Sequence, residues 1–191
     1  MESVRCNWCL GSPEYIHYHD NEWGIPVYDD QMLFECIVLE SAQAGLSWIT
    51  ILRKREGYRA AFHNFDPLKV SKMTPADVER LVLDKSIVRH RAKIEATINN
   101  AKAFLKIVEE FGSFSDYYWA FSDKKIINNQ IKAHEDIPAV TELSTKFAKD
   151  LKKRDFKFLG ATTCYAFMQA TGMVNDHLVD CISRKEHKLN G

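Results

Sequence analysis

DDQMLFECIVLESAQAGLSWITILRKRE, residues 29–56, is the stretch that decides the fold. After the acidic pair Asp29 and Asp30, the residues Leu33, Ile37, Glu40 and Ala44 recur at helical spacing and share one face. Gly45 then supplies a stop, and Ser47 supplies a start for WITILRKR. The same period returns in Ile94, Ile98, Ala101, Leu105 and Val108, a long amphipathic stripe. Thr74-Pro75 before ADVERLV, with Asp77 completing a capping-box-like pattern, and Thr141 before ELSTKFAKDL mark two more starts. Gly112 and Gly172 mark stops. Strand-like alternation is limited to short pieces such as FKFL and KKIIN, too few for a sheet with its own core. The spacing predicts an all-α body of about eight or nine helices.

The 191 residues predict one globular domain spanning 1–191. With 46% apolar, 12% aromatic and 27% charged residues, the chain lies well outside the disordered, collagen-like and low-complexity classes. No run approaches the roughly 18 apolar residues of a membrane span. The start, MESVRCNWCLGSPEY, lacks the basic and apolar regions of a secretion signal. The expectation is a soluble, cytoplasmic monomer with no membrane partner. Twenty-six basic residues balance 26 acidic ones, so only local patches could attract a polyanion. Three such clusters stand out: Arg53, Lys54, Arg55 and Arg59; Lys85, Arg89, His90, Arg91 and Lys93; Lys149, Lys152, Lys153, Arg154 and Lys157. Each also reads as an ordinary solvated helix face.

The first 28 or so residues and the tail after Gly172 are the least periodic, yet they hold most of the Cys, His and Trp residues. Five cysteines make an odd count in a chain large enough to need no disulfide staples. Cys6 and His19 lie at one end; His177 and Cys181 lie at the other as H-x3-C, a spacing that on a helix puts both side chains on one face. Together they make a Cys2His2 set for a structural zinc ion that would clip segments 1–28 and 173–185 together, leaving 186–191 frayed. Cys9 is the rival ligand, because Cys6 and Cys9 form a C-x2-C pair. Spacing alone does not choose between them, nor does it exclude four unconnected residues.

A pocket is the second candidate. YIHYHDNEWG packs Tyr15, Tyr18 and Trp23 into ten residues, enough rings for either a core or a stacking slot. Glu40 favours the slot, because it stands on the apolar face of its helix, where a carboxylate is desolvated unless something pairs with it. The rival is a Glu40 that reaches solvent or an arginine. Beyond it come the helix end at Gly45, an exposed Leu46 and the indole of Trp48. The third candidate is DKSIVRHRAKI, a short connection anchored by Ile87 into a basic helix amino terminus, suited to a phosphate. It resembles a helix-hairpin-helix element, although Ser86 stands where glycine is usual and would be strained in a turn of positive φ.

Taken together, RCNWC, YHDNEWG, LFECIVLESAQAGLSWITILRKRE, YRAAFHNFDP, IVRHRAKI, RDFKFLGATTCYAFMQATGMVNDH and the terminal cysteine resemble the 3-methyladenine DNA glycosylase I family. The resemblance runs through nearly the whole chain in order, loosest over residues 113–142. It implies an all-α helix-hairpin-helix glycosylase that hydrolyses the N-glycosidic bond of 3-methyladenine in double-stranded DNA, monofunctionally and without a redox cofactor. It implies a structural zinc on Cys6, His19, His177 and Cys181, selecting Cys6 over Cys9. By the same carry-over, Glu40 is the catalytic candidate and contacts the flipped base with Tyr18. Trp48 stacks on that base, Tyr15 and Trp23 complete its pocket, and Gly45 with Leu46 fills the gap in the duplex. Ser86, Arg89, Arg91 and Lys93 would meet the DNA backbone. Asp116 lies where related enzymes carry an aspartate, but Ser113-Phe-Ser-Asp also reads as a helix start, and the resemblance implies no such aspartate. Two rivals remain on the residues alone: a hydrolase whose zinc activates water, and a non-catalytic DNA-binding module whose aromatic cluster is core.

Overall fold

Residues 4–185 are described by a computed structural model in which α2 (Asp30–Gln43) forms the axis. Its N-cap Asp29 accepts from the Met32 amide, while Asp30 accepts from the amides of Phe114 and Ser115 at the start of α7 (Phe114–Ala120). A single carboxylate thus satisfies two of the orphan donors of another helix, and Ser113 caps the next at the Asp116 amide. Leu33, Phe34, Ile37, Val38 and Leu39 are all buried, so α2 is apolar around most of its circumference, as a central helix must be. It touches α3 (Trp48–Ala61), α6 (Arg91–Phe111), α7 and α9 (Ala161–Ala170). The remaining helices among the described residues are α1 (Pro13–Asn21), α4 (Pro67–Val70), α5 (Pro75–Leu81) and α8 (Glu142–Lys153), the last packed on α9.

Aromatic stacking fills the space between these helices. Phe104 and Phe114 lie parallel at 4.3 Å, and Tyr118, Phe147 and Phe167 continue the run. Each fully buried ring contributes on the order of 1.5 to 3 kcal/mol.

The stripe on α6 is rotated from its expected line. Ile94, Ile98 and Ala101 are buried, but Phe104 and Ile107 take the core positions beyond them, leaving Leu105 and Val108 half-exposed. A straight helix drifts off any fixed four-residue register, so the larger Phe104 ring sets the buried line. Ala44 is exposed as well, because it is the C-cap of α2 and lies outside the helix.

The body is mostly helical, with one parallel pair of two-residue strands, β1 (Ile127–Asn128) and β2 (Val174–Asn175). The pair matters for position rather than stability. With the Val179 amide bonded to the Ile131 carbonyl at 2.9 Å, it draws the irregular segment 127–137 against the carboxy-terminal tail. No described helix is long and apolar enough to cross a membrane. The expected frayed end, 186–191, lies outside the described residues.

Candidate active site and metal cluster

The aperiodic amino-terminal segment contains α1. Ser12 caps it by accepting from the Tyr15 amide at 3.3 Å, and Pro13 fills its first turn. Its inward face carries rings and a histidine instead of aliphatic residues, because it borders a slot and a polar cluster. The slot is a cavity of about 290 Å³ lined by Trp8, Tyr15, Tyr18, Trp23, Glu40 and Trp48, among others. The Tyr18 and Trp48 rings stand 5.5 Å apart. Trp8 stands 5.0 Å from Tyr15 and 5.0 Å from Trp23, edge-on to each. The aromatic cluster therefore encloses space instead of packing shut.

Glu40 is 4% exposed, and its Oε2 has no hydrogen-bond partner; the Trp48 indole Nε1 is likewise buried and unpartnered. No arginine reaches the acid. Burial alone pushes Glu40 up to about 8, which favours the neutral carboxylic acid over the carboxylate. Burial, and then Glu40, push the Tyr18 phenol well above its usual range, which keeps it a neutral donor. A buried donor and a buried acceptor left unpaired each cost about 1 to 3 kcal/mol, a cost that a polar ligand removes.

Cys6, His19, His177 and Cys181 are all buried, with ligand atoms within 4.8 Å of one another. Cys9 is excluded from this set: its thiol donates to the Cys6 carbonyl at 3.1 Å. The pair His177 and Cys181 converges through a turn, with the Cys181 amide on the Leu178 carbonyl, and not along a helix as the spacing suggests. Each histidine has its other nitrogen engaged: His19 Nδ1 lies 2.7 Å from Asp20 Oδ1, and His177 Nε2 lies 3.1 Å from the Trp23 carbonyl. The Cys6 thiol beside it, then His177 and His19, hold the Cys181 thiol far below its ordinary range. The cluster adjoins the slot, since Trp23 packs edge-on against His177 at 4.7 Å.

The basic candidates separate into engaged and free. In the first patch, Arg55 pairs with Glu22, Arg59 with Glu35, and Lys54 donates to the Lys85 carbonyl. Arg91 makes a two-pronged pair with Glu79 on α5. Lys93 turns toward the end of α2 and donates to the carbonyls of Ala42 and Ala44. Arg89 is exposed. Ser86 shows no positive φ, and the anticipated strain is absent; its amide and hydroxyl both bond Asp84 Oδ1, closing a compact turn. Asp116 is the first-turn acid of α7, bonded to Ser113 and paired with Lys124, away from the slot. Gly45 takes φ +79 and Leu46 is 40% exposed, at the mouth between α2 and α3.

Sequence reasoning missed Trp8, Gln43, His134, Ile137, Ala166 and Gln169 as slot-lining residues. Gln43 sits on the helix turn after Glu40, and its position was readable. His134 and Ile137 reach the slot only because the β1–β2 pair carries their segment there, which no local pattern encodes.

A helical body around a ring-lined slot, with a buried and unpartnered acid inside it, defines a protein shaped to hold a flat polar ring. A family profile described as methyladenine glycosylase matches residues 8–185, and the chain belongs to that family. It is 54% identical over 177 residues to DNA-3-methyladenine glycosylase 1 of Escherichia coli strain K12, covering 93% of this chain and 95% of that one. The fold superposes on 3-methyladenine DNA glycosylase I from Staphylococcus aureus with a TM-score of 0.94 at 43% identity, over 96% of this chain and 98% of the other. It likewise superposes, with a TM-score of 0.94 at 42% identity over 96% and 99%, on a variant of 3-methyladenine DNA glycosylase I in complex with 3-methyladenine.

Proposed function

We propose that this chain is a DNA-repair glycosylase that releases 3-methyladenine from alkylated duplex DNA. The observation that carries the reading is Glu40, unpartnered inside a slot between Tyr18 and Trp48. Methylation at N3 gives adenine a positive charge, which the neutral base lacks. Rings supply cation-π attraction, and a carboxylate supplies charge-assisted hydrogen bonds, each worth on the order of 1 to 3 kcal/mol. A cation in the slot also favours loss of the Glu40 proton, so the acid becomes a counter-ion only when the methylated base is present. Normal bases meet a neutral, unrewarding slot.

In the reaction the C1′–N bond breaks with its electron pair going to the base, which leaves uncharged. Water adds to C1′ and gives up a proton. Tight binding of the cation opposes its neutralisation, so recognition alone cannot drive turnover. Of the slot-lining residues only Glu40 is acidic, and it serves both to recognise the base and to stabilise positive charge spreading onto the sugar. Tyr15, Tyr18, Trp23 and Trp48 enclose the base and exclude water. Taking the base out of the stack costs a few kcal/mol, which Leu46, presented by Gly45, offsets by filling the vacancy.

The α5–α6 connection is read as a helix-hairpin-helix. Arg89 and the amino terminus of α6 face the duplex phosphates. Cys6, His19, His177 and Cys181 fit zinc. A tetrahedral ion with Zn–S of about 2.3 Å and Zn–N of about 2.0 to 2.1 Å needs S···N edges of about 3.5 Å. The cluster has Cys181 Sγ at 3.5 Å from both His19 Nε2 and His177 Nδ1, and Cys6 Sγ at 3.8 Å from His177 Nδ1. Zinc would supply a structural crosslink between the chain ends. Four protein ligands leave no position for an activated water. The deciding experiment measures free base released from methylated duplex DNA together with metal content. Release of 3-methyladenine with stoichiometric, non-exchanging zinc supports the reading; absence of release overturns it.

A further inference from the structure

Lys93 lies in the first turn of α6, where its amide approaches His90 Nδ1 at 3.3 Å. Its side chain leaves the hairpin and crosses to the carboxy-terminal end of α2. There Nζ donates to the Ala42 carbonyl at 2.9 Å and the Ala44 carbonyl at 2.6 Å. The carbonyl of Gln43 between them accepts from the Leu46 amide at 2.6 Å. The last carbonyls of α2, which a helix end leaves unpaired, are thus closed by one lysine and by the residue at the slot mouth. A cation at this end also suits the helix dipole. No carboxylate pairs with the ammonium among the described residues, and its partial burial pulls its pKa down. Lys93 is therefore held by carbonyls alone, one helix turn beyond Glu40 and next to Gln43, which lines the slot.

Resting on the glycosylase reading above, we propose that Lys93 is a positioning residue that ties the α5–α6 hairpin to the Gly45–Leu46 turn. The hairpin meets the backbone of the duplex; the turn must enter its stack at a fixed distance from that contact. Lys93 sets the distance. The two carbonyl bonds occupy two of its three ammonium protons, so it acts inside the protein and not on phosphate. Without it, the Leu46 turn keeps its sequence but loses its brace.

The test compares wild type with Lys93→Met and Lys93→Arg. It uses three readouts: the kcat for base release from methylated duplex, the affinity for free 3-methyladenine, and the salt dependence of duplex binding. Lys93→Met should lower kcat roughly ten- to a hundred-fold through misplacement of the base and the wedge. Free-base affinity should stay within about twofold, because the slot residues are untouched. The salt slope should match wild type, and Lys93→Arg, with its several N–H donors, should recover most of the rate. A slope shallower by about 0.9 would make Lys93 a phosphate contact and overturn the proposal. Loss of free-base binding would overturn it by showing that the lysine merely holds the core together, as would full duplex activity in Lys93→Met. Failure of the glycosylase reading is separate: the wild type itself would then release no base.

Discussion

A Cβ placed on Gly57 would stand 2.4 Å from the carbonyl oxygen of Ser86. The α5–α6 turn that contains Ser86 is thus accommodated by a glycine on α3, the helix facing it. The turn presses its backbone onto α3, where Lys54 donates to the Lys85 carbonyl and the Tyr58 hydroxyl accepts from the Val88 amide. Gly57→Ala gains about 1 kcal/mol of helix propensity but forces backbone against backbone, an overpacking of about 3 kcal/mol. The expected outcome is a net loss near 2 kcal/mol in urea unfolding, with weakened duplex binding and unchanged affinity for the free base. A stable variant with full duplex affinity would detach the hairpin from α3.

Glu40 sets a pH dependence whose sign follows from its burial. Raised from 4.5 to about 8, it keeps a proton in the folded state that the unfolded chain has already lost. Stability from this group is therefore present at low pH, falls as pH rises between those values, and levels off above 8. Glu40→Gln removes the effect. Relative to wild type it should gain stability with rising pH, up to roughly 5 kcal/mol by pH 9, while base release falls at least about a hundred-fold. Parallel pH–stability curves for the two proteins would place Glu40 in contact with water.

The zinc proposed for the Cys6, His19, His177 and Cys181 cluster carries a prediction about the residue that holds a ligand in place. Asp20 Oδ1 is shared by His19 Nδ1 and the Ser183 hydroxyl, and Arg5 Nε reaches both carboxylate oxygens, which links the histidine's outer nitrogen to both chain ends. Asp20→Asn should weaken zinc retention about 10- to 100-fold against a competing chelator. Because His177 and Trp23 are in contact, chelation should also loosen base binding. Unchanged retention would confine metal affinity to the four ligands.

Capping chemistry was the most legible part of the chain. Thr74 with Asp77 and Thr141 at α8 form the caps their patterns announce, because the interaction is local and needs no partner from elsewhere. The acid on the α2 stripe was legible for a related reason: a polar residue at an apolar position is visible without coordinates. Tertiary placement was not. Trp8 reaches the slot from a short helical turn at Asn7–Cys9, and α1 hides its helical period because its buried face is aromatic and ionisable. His63, Asn64 and Phe65 take φ of 53°, 54° and 58°, which their types do not suggest; the fully buried Phe62 and Phe65 pin that turn at both ends. Lys93 shows the same limit. Its sequence context reads as phosphate binding, and only the fold reveals that its ammonium is committed to α2.

Leu46 offers a separation of folding from function. At 40% exposure it still covers more than half of its surface, so Leu46→Ala should cost about 1 kcal/mol of unfolding free energy, short of the roughly 2 to 5 kcal/mol of a core leucine. Its proposed work begins only on DNA, where it replaces a flipped base in the stack and recovers part of the unstacking cost. The variant should bind free 3-methyladenine normally and release base from duplex about tenfold more slowly, with less loss where the methylated adenine sits opposite a mismatch and the stack is already weak. Stopped-flow fluorescence of a reporter base beside the lesion reads the flipping step directly. An unaltered flipping rate would assign the wedge to another residue, and a large loss of stability would make Leu46 a core residue that merely touches solvent.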